Sequence, residues 1–171
     1  MAAQMPSLQS NIGFLNTLHS VKPHSSEGAI QYVWQAIVTE WFPGRDGYKW
    51  VFKPVTPGDS NMPNVTVCQI KPLQNANEWD ERQILRVECK PPSSEEWHSA
   101  IATELNGKRL FGAVAAGKKV RFYQFDGREP SGQAVVQLHQ DTLDMDDSDD
   151  IVQIETWMDY IKMNAWQWSG S

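Results

Sequence analysis

The sequence has few of the features that mark secreted, membrane-bound or disulfide-rich proteins. Cys68 and Cys89 are its only cysteines, and both lie in alternating apolar segments, which favours buried free thiols over a disulfide framework. No run of about 18 apolar residues occurs, and the opening MAAQMPSLQSNIGF lacks a basic segment followed by an apolar one. We therefore expect an intracellular protein, in the cytoplasm or nucleus, that has no contact with a membrane.

Motifs of several enzyme classes are also missing. The four histidines are not spaced as ligands of one zinc ion, and no Ser-His or Cys-His pattern indicates a nucleophile. Gly112 and Gly117 do not make a phosphate loop, because no Gly-Lys-Ser/Thr follows a strand. The net charge of −6 argues against binding nucleic acid by bulk attraction, although basic residues concentrate between Lys108 and Arg128.

What is present indicates a single globular domain. The chain has 171 residues, of which 40% are hydrophobic, and its eight tryptophans are spread along it. No internal repeat or linker divides it. We expect a flexible N-terminus at 1–24, one domain at 25–165 and a C-terminal tail at 166–171.

Hydrophobic periodicity predicts nine elements in the order αβββαβββα. The run SSEGAIQYVWQAIVTEW has helical spacing, and YKWVFKPV, VTVCQIKPL and QILRVECK have the β-rich character of an antiparallel meander. A capping box of Ser93 and Glu96 starts a second helix that ends near Gly107. LFGAVAAG and KVRFYQF then form a hairpin around Gly117-Lys118, QAVVQLH is a weaker strand, and Ile151 opens the apolar stripe of a last helix.

The end of the third strand, LRVECKPP, carries charges where a core strand would not. Successive side chains of a strand point to opposite faces, so Glu88 and Lys90 share one face while Val87 and Cys89 share the other. The charged face must therefore meet water, a partner charge or a metal.

An E-x-K motif at the end of an apolar strand, followed by a capped helix and a hairpin, fills the run VECKPPSSEEWHSAIATELNGKRLFGAVAAGKKVRFYQFDG. This combination resembles the PD-(D/E)XK, or restriction-endonuclease-like, nuclease superfamily, and in particular small stand-alone members predicted in fungi. The resemblance extends from about Ser26 to Asp126. It implies an α/β fold with a mixed central sheet of five or six strands flanked by helices on both faces.

The resemblance also implies metal-dependent hydrolysis of phosphodiester bonds in DNA or RNA, a reaction for which Mg²⁺ or Mn²⁺ is the expected cofactor. By resemblance, Glu88 is the metal carboxylate and the backbone carbonyl of Cys89 is a further ligand. Lys90 is the catalytic lysine that orients the attacking water or stabilises the transition state.

The chain departs from the family pattern where an Asp is expected. The segment MPNVTVCQI places Asn64 there, and an amide offers a neutral oxygen in place of a charge, which lowers metal affinity. Asp59 in the preceding loop and Glu104 on the apolar stripe of the second helix are alternative ligands. Glu27 and Glu40 on the first helix are further acids of the type that the family uses.

The departure leaves a second function open, that of a catalytically inactive module that binds nucleic acid or a protein partner, which includes a second copy of the chain. The basic hairpin residues Lys118, Lys119 and Arg121 can grip a phosphate backbone, with Phe122 or Tyr123 near a base, or they can form a solvated turn.

Two features near the C-terminus each allow two interpretations. Trp166 and Trp168 can stack on a partner or cover the core. The run DMDDSDDIVQIE resembles a calcium loop, but Asp149 replaces the glycine that the loop requires, and a strand precedes it instead of a helix.

Overall fold

The computed structural model describes residues 4–53, 64–75, 77–95, 97, 107–130 and 132–171. Over these residues the chain is an α/β protein with a mixed sheet of seven strands. The helices are α1 (Ile12–His19), α2 (Glu27–Trp41) and α3 (Ser148–Gly170), with a 3-10 turn at Gly44–Asp46. The strands are β1 (Tyr48–Lys53), β2 (Asn64–Pro72), β3 (Trp79–Lys90), β4 (Arg109–Ala116), β5 (Lys119–Asp126), β6 (Val135–Gln137) and β7 (Leu143–Asp144).

The sheet has the strand order β1-β2-β3-β4-β5-β6, and β7 pairs with the start of β5. All neighbours are antiparallel except β3 and β4, which are parallel. The predicted meander and the predicted hairpin are therefore confirmed. The described sheet has seven strands where five or six were expected. The additional strand is β7, a two-residue strand held by the pairing of Leu143 with Val120 and of Asp144 with Lys119.

The parallel pairing of β3 with β4 requires a crossover connection, which here lies between Lys90 and Arg109. The predicted second helix falls within this connection. Glu96 and residues 98–106 are outside the described residues, so that helix stays a prediction, and with it the expectation of helices on both faces of the sheet.

The hydrophobic core lies on the face of the sheet that packs against α2 and α3. Helix α2 contributes a stripe of fully buried residues at helical spacing, among them Ile30, Trp34 and Ile37, and β3 contributes Leu85 and Val87. The burial of these apolar side chains is the main source of stability for both elements. Because successive side chains of a strand point to opposite faces, the burial of Leu85 and Val87 also places Glu88 and Lys90 on the other face of the sheet.

The N-terminal segment differs from the expectation of a flexible terminus. Leu8, Phe14 and Leu18 are buried in the core, and residues 12–19 form α1. Asn11 caps this helix by accepting a hydrogen bond from the Phe14 N–H at 2.9 Å. Packing on α2 therefore stabilises a helix of eight residues, a length that is marginal for a helix on its own.

Helix α3 is longer than the sequence predicted, because it continues to Gly170 and includes most of the expected tail. Asp147 caps its start by accepting hydrogen bonds from the Asp149 and Asp150 N–H groups, at 2.9 and 3.1 Å. Its buried stripe includes Ile154 and Ile161. Over the described part of the chain, no helix combines the length with the apolar character that crossing a bilayer requires.

The turn between β4 and β5 is closely packed against the end of β3. Gly117 has a φ of +61°, and a Cβ at this position would come within 2.8 Å of the Pro92 side chain. The Gly117 N–H donates to the Lys90 carbonyl at 3.2 Å, and the Met145 N–H donates to the Lys118 carbonyl at 2.9 Å. The turn is therefore held in place on both sides.

Candidate active site

Glu88 and Lys90 lie on the face of β3 that points away from the main core. Val87 and Cys89, which alternate with them, are fully buried in that core. The side chains of Glu88 and Lys90 are themselves almost inaccessible, with exposed fractions of 5% and 3%. The predicted alternation is confirmed, and the charged face meets other groups of the protein rather than open water.

Charges are buried only at a cost, which is several kcal/mol for an unpaired ion. Glu88 and Lys90 both have interaction partners within the protein. Asn64 and Thr66 of β2 are buried on the same side, with 6% of each exposed. Four buried polar residues are therefore concentrated at one end of two neighbouring strands.

Asn64 is the direct cross-strand partner of Glu88 in the antiparallel pairing of β2 with β3. Directly opposed residues of such a pair share a face, and their Cβ atoms are about 5 Å apart. The Asn64 amide and the Glu88 carboxylate are therefore neighbours. The sequence reasoning named Asn64 from its place in the family motif, and the strand register brings it to Glu88.

Gln31 of α2 is a site residue that the sequence reasoning missed. Its side-chain amide donates to the Asn64 carbonyl at 3.0 Å and to the Lys53 carbonyl at 2.7 Å, and only 7% of the residue is exposed. It therefore joins the end of β1 to the start of β2. The available signal was its position on the helical wheel, where it lies next to the buried Val38.

Two acids of α2 that the resemblance singled out have different surroundings. Glu40 accepts hydrogen bonds from the Ser7 N–H at 3.1 Å and from the Asn11 side chain at 3.2 Å, so it anchors the N-terminal segment. Glu27 is half-buried and lies one turn before Gln31 on the same side of the helix. This position puts Glu27, and not Glu40, at the end of α2 nearest to Asn64.

The predicted metal ligands are only in part within the described residues. Asp59 and Glu104 lie outside them. In the described ranges, no group of three or more histidines, cysteines and acids is arranged to hold a metal. Burial, together with the nearby Glu88 charge, raises the pKa of the Cys89 thiol far above its ordinary value. That thiol therefore stays protonated, which leaves Cys89 with only its carbonyl as a ligand.

The three cations of the basic hairpin differ in their partners. Lys118 Nζ lies 3.0 Å from Asp146 Oδ1, and Arg121 Nε donates to the Thr142 hydroxyl at 2.7 Å. The Arg121 guanidinium also lies 4.4 Å from the centre of the Trp97 ring. Lys119 is exposed. Arg121 is therefore the most firmly positioned of the three cations.

The two aromatic residues of the hairpin do not both face this side. Phe122 is fully buried in the main core, so the expectation that it lies near a base is wrong. Tyr123 is on the other face, in a small cluster with Leu110, Val114 and Phe125. Strand alternation explains the difference between the neighbouring residues.

A cleft of about 660 Å³ lies beside the turn of the hairpin, within the size range of ligand pockets. Its lining contains both charges, with Lys22, Lys118 and Lys119 opposed by Glu95, Asp144 and Asp146. The acids offset the field of the lysines, so the cleft itself is not a strongly cationic site.

Aspartates at 144–150, at the start of α3, form hydrogen bonds with backbone N–H groups of the same segment. Asp144 Oδ1 accepts from the Asp146 N–H at 2.9 Å, and Asp150 Oδ2 accepts from the Asp144 N–H at 2.9 Å. Together with the capping by Asp147, these contacts explain the acidic residues as groups that stabilise the start of α3. They give no support to a calcium loop.

The two C-terminal tryptophans are both in contact with their own chain. Trp168 Nε1 donates to the Leu110 and Phe125 carbonyls at 3.3 and 3.2 Å. Trp166 lies under the Arg82 guanidinium, which is 3.8 Å from the ring centre. These contacts favour the interpretation that the tryptophans cover the protein rather than bind a partner.

Comparison with protein-family models, with curated proteins and with solved structures gave no significant match. The assignment of a function therefore depends on the residues and geometry of this site.

Proposed function

We propose that the protein is a PD-(D/E)XK-type nuclease that hydrolyses phosphodiester bonds of DNA or RNA with the help of a divalent cation. The observation that carries the proposal is the burial of Glu88 and Lys90 side by side on the non-core face of β3. A glutamate and a lysine kept together out of water, at the end of an otherwise apolar strand, are costly to the fold. Function is the physical reason for retaining them.

In the proposed reaction, a water molecule gives up a proton to solvent as its oxygen bonds to phosphorus, the bond from phosphorus to the sugar oxygen breaks, and the freed sugar oxygen takes up a proton from solvent. The Lys90 ammonium, fixed in a poorly solvated site, holds the attacking water or balances the negative charge that develops on the phosphate. Asn64 orients the Glu88 carboxylate from the neighbouring strand. Gln31 holds the backbone of Asn64 in place, so it positions the site without touching the substrate.

The donor set fits a hard divalent ion that keeps part of its water shell. Mg²⁺ is held in many proteins by one or two carboxylates together with substrate phosphates, and Glu88 and the Asn64 amide oxygen are neighbouring oxygen donors. Cys89 adds its carbonyl, and Glu27, Asp59 or Glu104 is the candidate for a second carboxylate. When bound, such an ion neutralises charge on the phosphate and lowers the pKa of the attacking water.

Calorimetric titration of Mg²⁺ and Mn²⁺, run beside cleavage of single- and double-stranded oligonucleotides, tests the proposal. The wild-type protein is expected to bind metal and to cut. Glu88→Gln is expected to lose both, because the amide removes the charge of the central metal ligand. Lys90→Met is expected to keep metal binding and to lose at least about 100-fold in kcat, the usual loss when an electrostatic catalyst is removed.

A matched control is Glu81→Gln, which removes a carboxylate from the same strand at an exposed position paired with Lys49. It is expected to leave metal binding and cleavage unchanged. A wild-type protein that neither binds metal nor cuts any of the oligonucleotides contradicts the proposal.

The second candidate, an inactive module that binds nucleic acid or a protein, is favoured by one observation. The strand partner of Glu88 is an amide, and Glu88 is the only acid among the described residues of its cross-strand row. Binding of oligonucleotides that weakens steeply with salt, without metal-dependent cleavage, is the result expected of a nucleic-acid module. A protein-binding module would bind none of them.

A further inference from the structure

The strand register places a row of side chains across five strands, at right angles to their direction. Lys53 pairs with Asn64, Asn64 with Glu88, Glu88 with Val114 and Val114 with Arg121. Directly paired residues share a face of the sheet. Glu88 is therefore in the middle of a row that has a cation at each end, a lysine on β1 and an arginine on β5.

The next row toward the carboxyl end of β3 adds positive charge. It contains Lys90, its partner Ala116 on β4 and, across from that residue, Lys119 on β5. Asp144 of β7 lies across from Lys119, so the two rows together hold four cations, Lys53, Lys90, Lys119 and Arg121, against two acids among the described residues, Glu88 and Asp144. The chain as a whole has a net charge of −6, so the excess of cations in these two rows is a local feature, and it is greatest on the β1 side, where no described acid of the rows faces Lys53.

The geometry suits an extended polyanion that crosses the strands. Neighbouring strands are about 4.8 Å apart, so Lys53 and Arg121 are separated by roughly 19 Å along the row. A phosphate that reacts at Glu88 and Lys90 would then have further phosphates of the same strand on either side. Arg121 lies in the row on the β5 side of Glu88. On the β1 side, Lys53 is the only cation of the row among the described residues.

We infer that Lys53 binds the phosphate backbone of the substrate strand on the β1 side of Glu88, and so positions the bond to be cut. The inference rests on the proposed function. The backbone of Lys53 is held in place by the Gln31 side chain, which donates a hydrogen bond to the Lys53 carbonyl at 2.7 Å. The residue is half-buried on β1, an edge strand of the described sheet, where a side chain can reach a ligand from the side.

Lys53→Gln, Lys53→Arg and Lys49→Gln together test this role. Lys49 is the matched control because it lies on the same strand and face, but it pairs with Glu81 away from the row. Binding of fluorescein-labelled oligonucleotides of about 20 nucleotides, single-stranded and duplex, is measured over a range of salt concentrations. Cleavage kinetics are measured with the same oligonucleotides.

Lys53→Gln is expected to weaken binding about fivefold at low salt and to lower the slope of log K against log salt by about one phosphate contact. In cleavage, KM is expected to rise by more than kcat falls, as for a residue that positions substrate. Lys53→Arg is expected to restore binding, because the positive charge is kept. Lys49→Gln is expected to match the wild type.

Two results overturn the inference, and they differ in what else they overturn. A wild-type protein that binds and cuts, with Lys53→Gln indistinguishable from Lys49→Gln, removes Lys53 from the substrate path and leaves the proposed function intact. A wild-type protein that neither binds nor cuts contradicts the proposed function, and the role of Lys53 with it. Circular dichroism and thermal unfolding of each variant exclude misfolding as the cause of a loss.

Discussion

Asn64 and Glu88 are paired directly across β2 and β3, on the face of the sheet opposite the main core. Each has about 5% of its surface exposed. A second carboxylate in place of the Asn64 amide would lie about 5 Å from Glu88. Two like charges at this separation, shielded from water, repel unless a proton or a cation lies between them.

Asn64→Asp tests the relationship. Without metal, we expect the free energy of unfolding at neutral pH to fall by about 1 to 2 kcal/mol, since one carboxyl must take up a proton or bear the repulsion. This loss corresponds to a fall in Tm of roughly 2–4 °C per kcal/mol. If the site holds a divalent cation, added Mg²⁺ should recover the loss, and its Kd should fall about tenfold relative to wild type.

Thermal unfolding with and without Mg²⁺, and calorimetric titration, measure both effects. Glu88→Gln in the Asn64→Asp background is the control, because it returns the pair to one carboxylate and should restore the metal-free stability. An Asn64→Asp protein with unchanged stability and no response to Mg²⁺ would show that the two side chains do not share a site.

Gln31→Ala removes the amide that donates to the Lys53 and Asn64 carbonyls. Both acceptors lie in or beside a buried region, so the loss is expected to cost about 1 to 3 kcal/mol of unfolding free energy. Urea unfolding measures it. If cleavage is established, the variant should also lose activity, because the start of β2 carries Asn64.

Gln35→Ala is the matched control for Gln31, since it makes the same substitution one turn later at a half-buried position of α2. We expect it to cost less than about 0.5 kcal/mol. Equal losses at the two positions would mean that the hydrogen bonds of Gln31 are not what stabilises the strand ends.

The local parts of the fold could be predicted from the sequence, because short-range periodicity determines them. The stripe of α2, the meander and the hairpin at Gly117 follow from spacing and turn residues. Helix α1 could not be predicted, because Ile12 and Leu15 are exposed while Phe14 and Leu18 are buried, an arrangement that only packing on α2 decides. Strand β7 likewise depends on a single long-range pairing.

The candidate site could likewise be predicted only where it depends on the pattern within a single segment. Alternation alone places Glu88 and Lys90 on one face of a strand, whatever the rest of the fold. The contacts of Gln31 and the alignment of Lys53 with Glu88 depend on strand register and on the approach of α2 to the sheet. Residues far apart in the sequence determine both, and the periodicity of a single segment contains no information about them.

Arg82 connects α3 to the sheet, and its removal should loosen the end of the chain. It lies over the Trp166 ring and donates to the Trp166 carbonyl at 2.8 Å. We expect Arg82→Gln to cost about 1 to 2 kcal/mol, since it removes a stacked guanidinium and a hydrogen bond to a helix end. Urea unfolding measures this cost, and tryptophan fluorescence of the folded protein should change because Trp166 loses its cover.

Arg45→Gln is the control for Arg82, because Arg45 is exposed in the turn before β1. We expect it to change stability by less than about 0.5 kcal/mol. Equal effects of the two substitutions would contradict a specific role for the contact with Trp166.

His139 should make the stability of the protein depend on pH below neutrality. Its Nε2 accepts a hydrogen bond from the Phe122 N–H at 3.0 Å, and its ring packs against Trp157. Burial lowers the pKa of His139 below its ordinary 6.5, and the charge of Arg121 lowers it further, while the Asp141 backbone and carboxylate act in the opposite direction. The unfolded state therefore binds the proton more tightly, and the free energy of unfolding must fall as the pH drops below about 6.5.

His139→Gln isolates this effect, because a glutamine oxygen can still accept from the Phe122 N–H but does not titrate. The measurement is urea unfolding of both proteins at about pH 7.5 and about pH 5.5. Wild type should lose more stability between the two pH values than the variant, since the two proteins differ only at residue 139. If the variant loses as much stability as wild type, His139 is not protonated on unfolding, and its hydrogen bond with Phe122 does not make folding sensitive to pH.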